Sequence, residues 1–488
     1  MSGERFAPSR AFPSEEVEHW DLETDVVVVG FGISGACAAI EARAGGADVL
    51  IFEVAAGAGG STEQSGGEFY LGGGTEVQKA AGFDDTPEDF RTYLMMSGGP
   101  GVDEERVELY ARSGLEHYQW LKDQGVPFKG TYLPGKWPEP PTDDTLIWCG
   151  SEAAWPFCEA AKPAPRGHTA QAVGRGGGKA VMDALSTRAL AVGARAHFST
   201  RVLCLVADRD GAVQGIVARI DGKPAFVRAR KGVVLTTGGF IANEEMVAQY
   251  APQVRTLNAM PLTGGNDDGS GIRMGMSVGG AVTHMEQFFA TRTTFPPESL
   301  VKGVFVNERG QRFINEDAYH GRIAQYCIRQ PGGRTWMLLD NATFGRPQAF
   351  PDVRIAAVGE TWAEVEQELG LPEGELQHTM DSYNSHAAEG TDPLLHKQAE
   401  WLQPLVEAPF AALSFANEDY PPVAFTLGGL VTRPSGEVLD AAGAPIPGLF
   451  AAGRAACGIP RWGEGYSSGT SLGDSSFFGR QAGKSAAA

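Results

Sequence analysis

The chain lacks a membrane-crossing segment: none of its 488 residues lies in an apolar run approaching the roughly 18 positions such a helix needs. It lacks a basic stretch as well. Asp and Glu number 60 against 40 Lys and Arg, a net charge of -20, which argues against a nucleic-acid partner. The opening MSGERFAPSRAFPSEEVEHW has no apolar core of the kind a secretory signal carries, so residues 1–22 read as a leader to the first strand. Cysteine is sparse. The six, at Cys37, Cys149, Cys158, Cys204, Cys327 and Cys457, form no CxxC pair and no zinc spacing. No metal is expected, and free thiols in a reducing cytoplasm are. Cys37 and Cys204 fall in apolar patterns and read as packing residues. Glycine, by contrast, is abundant at 65, and it clusters at motif-like turns rather than in a repeat. Loops that cradle a cofactor explain this better than low complexity.

The sharpest signal is DVVVVGFGISGACAAIEARAGGADVLIFE, from Asp25 to Glu53. Val26 to Val29 reads as a buried strand, Ala36 to Ala44 as a helix of small residues, and Val49 to Phe52 as a second strand. Gly30, Gly32 and Gly35 hold the G-x-G-x-x-G spacing between the first strand and the helix. The first glycine serves a tight turn, the second lets the backbone approach a pyrophosphate, and the third lets helix and strand pack closely. Glu53 lies 18 residues after Gly35, where an acid holds ribose hydroxyls. An acid there disfavours a 2′-phosphate, leaving FAD or NAD ahead of NADP.

The length suggests two or three domains. A glycine-rich loop runs from Gly57 to Gly74, and Glu104 to Gln124 reads as helix. Val126 to His168, rich in Pro and with Trp137, Trp148 and Trp155, reads as either a functional lid or a surface insertion. Strands return from Ala196 to Ile220, and Lys231 to Phe240 reads as a strand entering a Gly-Gly turn. Residues from about 280 to 415 carry more charge and helical pattern; glycine-rich strands resume at Pro421. The expected architecture is α/β: a discontinuous Rossmann-like domain over 1–280 and 419–488, with an inserted α+β cap domain over 281–418.

Six segments in order resemble the flavoproteins of the fumarate reductase and succinate dehydrogenase superfamily. They are the βαβ opening, GGSTEQSGG at Gly59 to Gly67, VVLTTGGF, NDDGSGIRMG at Asn266 to Gly275, NERGQRFINE at Asn307 to Glu316, and GLFAAG. The resemblance implies FAD and hydride transfer at flavin N5 across a C–C bond next to an electron-withdrawing group. Succinate dehydrogenases carry a histidine bonded to FAD in the glycine-rich loop. Ser61-Thr62-Glu63-Gln64-Ser65 contains none, so FAD is expected to be noncovalent.

The departures point to the substrate. Where fumarate reductases place an acid-donating arginine after R-F-x-N-E, this chain has Tyr319 and His320. Their carboxylate-binding histidine becomes Phe425, and a C-terminal arginine becomes Tyr466. Two carboxylates in such a pocket, without bidentate arginines, are too costly to bury. A neutral, apolar ketone is expected. This pattern resembles the FAD-dependent 3-ketosteroid dehydrogenases. The Δ1 branch carries Tyr-x-Gly-x-Gly; Tyr466-Ser467-Ser468-Gly469-Thr470 puts a serine at the first of those glycines, as in the Δ4-(5α) branch, which desaturates C4–C5 of 3-keto-5α-steroids.

The resemblance implies catalytic roles for Tyr319, Tyr466 and Ser468. Tyr466 would donate to the C3 ketone and Ser468 would take the C4 proton. Tyr319 would relay that proton toward His320 or solvent. Tyr466 as the base stays open. Phe425 and Gly429 are expected in the substrate pocket, with Phe288 and Phe289 as further candidates. The expected FAD contacts are Gly30, Gly32, Ile33, Ser34, Gly35 and Glu53, then Ser61, Thr62, Ser65, Gly66 and Gly67. Val202, Thr237, Gly238, Asp268, Gly453, Ser471 and Leu472 complete the set. Arg312 reads as an ion-pair residue, Tyr118 as packing, and Arg454, where relatives carry Glu, has no evident role. A Δ1-dehydrogenase or an enone reductase remains the alternative within the class, and a non-catalytic flavin-binding protein the alternative outside it. The steroid and the external electron acceptor are not specified.

Overall fold

A computed structural model describes residues 6–488. The first five positions of the expected leader lie outside the described residues. The main sheet is built on Leu22–Val29, where four successive valines are buried from both faces. Such a run belongs in a parallel sheet covered on both sides. It pairs in parallel with Val49–Phe52 on one side and with the long strand Lys223–Leu235 on the other. That long strand changes partner along its length. Its first half forms an antiparallel hairpin with Val213–Ile220, and its last three residues pair in parallel with Pro445–Ala451. The C-terminal segment therefore re-enters the sheet that the N-terminal segment begins.

Three expectations change at this level. The leader is not merely a leader: Phe12–Pro13 adds a strand beside Arg201–Ala207, burying Phe12 against Leu203 and Val206. The helix expected over 104–124 is two, Glu104–Arg112 and Gly114–Asp123, separated at Ser113. The Pro- and Trp-rich stretch is not one long loop. It contributes three strands to a four-stranded sheet ordered Glu68–Tyr70, Gly167–Thr169, Leu146–Trp148, Tyr132–Lys136.

The helix Ile33–Ala44 is made of small residues, and this lets the C-terminal helix Thr470–Ala487 lie close against it. A Cβ at Gly483 would fall 2.2 Å from the Ala38 carbonyl oxygen, and one at Gly479 would fall 2.6 Å from that of Ser34. The contact fixes the start of the C-terminal helix, with Ser471, Leu472 and Ser475, relative to the glycine turn.

A second, antiparallel sheet holds Val304–Asn307, Thr335–Leu339, Phe410–Ser414 and Ile355–Gly359. Its side chains alternate by period two. Phe305, Met337 and Leu413 face the helix His320–Ile328 through Ile323 and Cys327. Val304, Trp336 and Ala412 face Glu375–Ala388 through Met380 and Tyr383. Between the two large sheets, Phe288–Thr291 pairs antiparallel with Val423–Thr426, which also takes Met260–Pro261. This small sheet brings strands from before, within and after the 281–418 segment onto one wall.

Candidate active site

Two cavities meet below the glycine turn. The first, of about 900 Å³, lies at the C-terminal ends of the parallel strands. Among the expected FAD contacts, Gly30, Gly32, Ile33, Ser34, Glu53, Ser61, Thr62, Val202, Thr237, Gly238 and Asp268 line it. The second, of about 1270 Å³, is lined by Ser65, Gly66, Ser471 and Leu472, and by Tyr319, Phe425, Tyr466 and Ser468. Ile33, Ser61, Thr62, Arg454 and Ser475 belong to both, so the two spaces are continuous.

The first cavity fits a dinucleotide. Gly30 has φ +101°, and a Cβ there would sit 2.6 Å from the Thr236 carbonyl oxygen. Only glycine occupies that turn without strain. Glu53 is buried, and its carboxylate accepts hydrogen bonds from the Phe31 and Ala55 amides at 2.6 and 2.8 Å. These bonds fix the carboxylate at the cavity edge, positioned for a ribose hydroxyl. The buried Thr237 Oγ1 has no hydrogen-bond partner among the described residues. It sits beside Gly271, where a Cβ would lie 2.1 Å from it. The N-terminus of the C-terminal helix, capped by Gly469 at φ +88°, opens near the second cavity, where its free amides favour negative charge.

Four expected contacts do not line either cavity. Gly35 serves the close packing expected of the third glycine: a Cβ would lie 2.0 Å from the Gly30 carbonyl oxygen. Gly67 lies behind the wall, where a Cβ would meet the Gly177 carbonyl carbon at 2.2 Å. Gly453 turns at φ +64° against the Ser34 and Ser475 hydroxyls. Gly429, expected in the substrate pocket, is packed against the backbone of Ala455 and Ala456 and paired with Thr283. Phe288 likewise points into a core with Phe240 and Met285, whereas its neighbour Phe289 reaches the cavity.

The catalytic candidates are brought together from distant segments. Tyr319 caps the helix His320–Ile328. Its approach is held by a buried ion network. Arg312 binds Glu316 at 2.9 Å and Asp392 at 3.0 Å, Lys397 lies 3.3 Å from Glu316, and Glu316 accepts the Phe305 amide. The RFINE motif is thus a brace, as expected for Arg312. The Tyr319 amide donates to Ser151 Oγ at 3.1 Å. On the other side, Ser467 turns inward to bond the Tyr93 hydroxyl at 2.8 Å, and the Ser468 amide donates to the Cys149 carbonyl at 2.9 Å. This alternation aims the Ser468 side chain at the cavity. Its Oγ lies 2.7 Å from the Tyr319 hydroxyl.

Aromatic rings enclose the group. Phe289 packs 4.3 Å from Tyr466 and 5.0 Å from Phe425, centroid to centroid. Burial pushes the Tyr466 phenol up to about 12 and the Tyr319 phenol well above its ordinary value, so both stay protonated donors. Burial, with help from Lys136, drives His320 down to about 3. Its Nδ1 pairs with the Thr291 hydroxyl at 2.5 Å. Such an imidazole is neutral at neutral pH.

Two arginines reach the walls of the second cavity, and each is paired with an acid. Arg454, which sequence reading left without a role, lies 2.6 Å from Asp267 and above the Phe425 ring; Arg175, at the rim, pairs with Glu139 at 3.2 Å. Sequence reading also missed Glu68, a buried acid on the second cavity's wall. A single acid inside a glycine-rich segment carries no periodicity that signals burial.

A family model described as an FAD binding domain matches residues 25–469. The chain belongs to the FAD-binding flavoproteins of the fumarate reductase superfamily. It is 31% identical to a 3-oxo-5-alpha-steroid 4-dehydrogenase of Comamonas testosteroni, covering 90% of this chain and 94% of that relative. It is 27% identical to a probable fumarate reductase of Shewanella frigidimarina, covering 95% and 75%. Among solved structures it is similar to a 3-ketosteroid-delta4-(5alpha)-dehydrogenase of Rhodococcus jostii in complex with 4-androstene-3,17-dione. That match has 45% identity and a TM-score of 0.93, over 98% of this chain and 100% of the other. A 3-ketosteroid delta1-dehydrogenase of Sterolibacterium denitrificans, at 21% identity and a TM-score of 0.73 over 95% and 99%, shares the fold. FAD is therefore the cofactor, and the α/β flavoprotein fold is that of the family.

Proposed function

We propose that this protein is an FAD-dependent 3-ketosteroid dehydrogenase that introduces a C4–C5 double bond into 3-keto-5α-steroids. The observation that carries the reading is the Tyr319–Ser468 hydroxyl pair beside Tyr466, on an aromatic wall continuous with the dinucleotide cavity. The relatives named for this activity support it, and so does the pairing of each arginine of that cavity with an acid of the chain itself.

FAD, when bound, supplies the hydride acceptor. The chain's residues do the rest. The Tyr466 hydroxyl, which donates to Ser471 Oγ at 3.1 Å, turns to the C3 ketone and stabilises the developing enolate oxygen. One such donor contributes about 3 kcal/mol to the transition state. Ser468 takes the proton from C4, made acidic by the ketone, and Tyr319 holds the serine in place. Phe289 and Phe425 exclude water and bind the apolar rings. The Tyr466-Ser467-Ser468 sequence, with serine where the Δ1 pattern has glycine, favours C4–C5 over C1–C2. The 281–418 segment acts as the cap over this pocket.

The reaction passes its electrons to an external acceptor. No helix among the described residues is long and apolar enough to cross a membrane. We place the protein in the cytoplasm, because all six cysteines are free. The acidic balance favours no nucleic-acid partner. Steady-state oxidation with an artificial electron acceptor tests the reading: a saturated 3-keto-5α-steroid should be turned over, and succinate should not. Turnover of succinate alone would defeat it.

A further inference from the structure

We propose that Glu68 is the proton acceptor behind Ser468. The inference rests on the reading above, in which Ser468 removes the C4 proton. A serine hydroxyl is a weak base, and it accepts a proton only if its own is passed on. The cavity offers few destinations. Tyr319, 2.7 Å from Ser468, is a protonated phenol that burial and the neighbouring Tyr466 hold in that form. His320 is neutral and weakly basic. Glu68 remains. It lies on the strand Glu68–Tyr70, which packs against the C-terminal helix, and on the wall of the same cavity as Ser468.

Its surroundings suit the task. The residue is buried, and its Oε1 has no hydrogen-bond partner among the described residues. An unpaired carboxyl oxygen in a dry wall is costly and marks a functional demand. Burial, reinforced by Glu139 at the rim, pushes its pKa well above the usual carboxylate range, while the nearby Ser468 hydroxyl opposes the shift. The other groups facing it, Tyr319, Tyr466 and Cys149, are all held in their protonated forms. A carboxylate raised toward neutrality is a better general base than an ordinary one.

The step balances. The C4–H bond breaks and its electron pair enters the enolate; the proton goes to Ser468 Oγ. The Ser468 proton goes to the Glu68 carboxylate, giving the neutral acid. The enolate pair then forms the C4–C5 double bond as the C5 hydrogen leaves with its bonding pair, for which bound FAD would supply the acceptor. For Ser468 to pass its proton to Glu68, the 2.7 Å bond must run the other way, from the Tyr319 hydroxyl to Ser468 Oγ. Tyr319 then steadies the serine oxygen rather than carrying the proton. Glu68 acts through Ser468 and is a positioning residue with a proton to hold.

The test compares wild type, Glu68→Gln and Glu68→Asp as FAD-loaded proteins. Turnover of a saturated 3-keto-5α-steroid is followed against pH, along with FAD content and exchange of the C4 hydrogen with solvent deuterium, which consumes no flavin. Glu68 must be ionised to accept, so the wild-type rate rises with pH through its raised pKa. Glu68→Gln should bind FAD normally, lose about 10²–10⁴-fold in turnover and in C4 exchange, and lose that acid limb. Glu68→Asp should keep the limb at a reduced rate. A Gln variant with the wild-type rate and pH profile would overturn the proposal while leaving the enzymatic reading intact. A wild type that neither oxidises the steroid nor exchanges C4 would overturn both.

Discussion

The Tyr319 hydroxyl and the Ser468 Oγ lie 2.7 Å apart, although 149 residues separate them in the chain. One rides on a helix cap braced by buried ion pairs, the other on a turn pinned to Cys149. Groups so coupled act as a unit. Ser468→Ala should lower kcat by about 10²–10⁴-fold, and Tyr319→Phe should lower it too. The double variant should be little worse than Ser468→Ala alone. Multiplying losses in a double-mutant cycle would mean that the two hydroxyls work independently.

Tyr466→Phe keeps the ring that packs 4.3 Å from Phe289 and removes only the donor. Turnover should fall about 10²–10³-fold, with FAD content and Tm close to wild type. A loss confined to KM would show that the hydroxyl binds the ketone without stabilising the enolate.

The glycine turn is a matter of space rather than of composition. Gly35→Val puts atoms where a Cβ already lies 2.0 Å from the Gly30 carbonyl oxygen. The purified variant should be colourless or unfolded. At exposed Gly57 a Cβ meets nothing within 4 Å, so Gly57→Ala should retain the yellow cofactor. Absorbance of the purified proteins decides.

His320 makes the fold sensitive to acid. Folded, it stays neutral down to about 3; unfolded, it protonates at its ordinary 6.5. The unfolded chain therefore binds the extra proton between these values, and stability falls as pH drops through that window. Denaturant melts of His320→Asn should show a shallower fall between pH 6.5 and pH 4. An unchanged slope would place the acid sensitivity elsewhere.

Local signals with a physical period were legible. The four-valine strand, the glycine turn and Glu53 are encoded within one stretch, and each stands where its pattern places it. Tyr319, Tyr466 and Ser468 were found as substitutions against a family pattern, and the fold gathers them. What stayed hidden depends on tertiary contact. Nothing local tells Gly429, packed on Ala455 and Ala456, from a glycine that lines a pocket. Nothing tells Phe288, in a core, from Phe289, one residue on and facing the cavity. The strand at Phe12 forms only because Arg201–Ala207 offers an edge, and the burial of Glu68 follows from walls assembled across the whole chain.

The most direct measurement is a single anaerobic turnover. The yellow protein is mixed with a saturated 3-keto-5α-steroid, the visible flavin band is followed, and the product is identified. The account predicts bleaching together with a C4–C5 alkene. Bleaching with a C1–C2 alkene would contradict the role given to Ser468, and no bleaching would contradict the assignment of the pocket to a 3-ketosteroid.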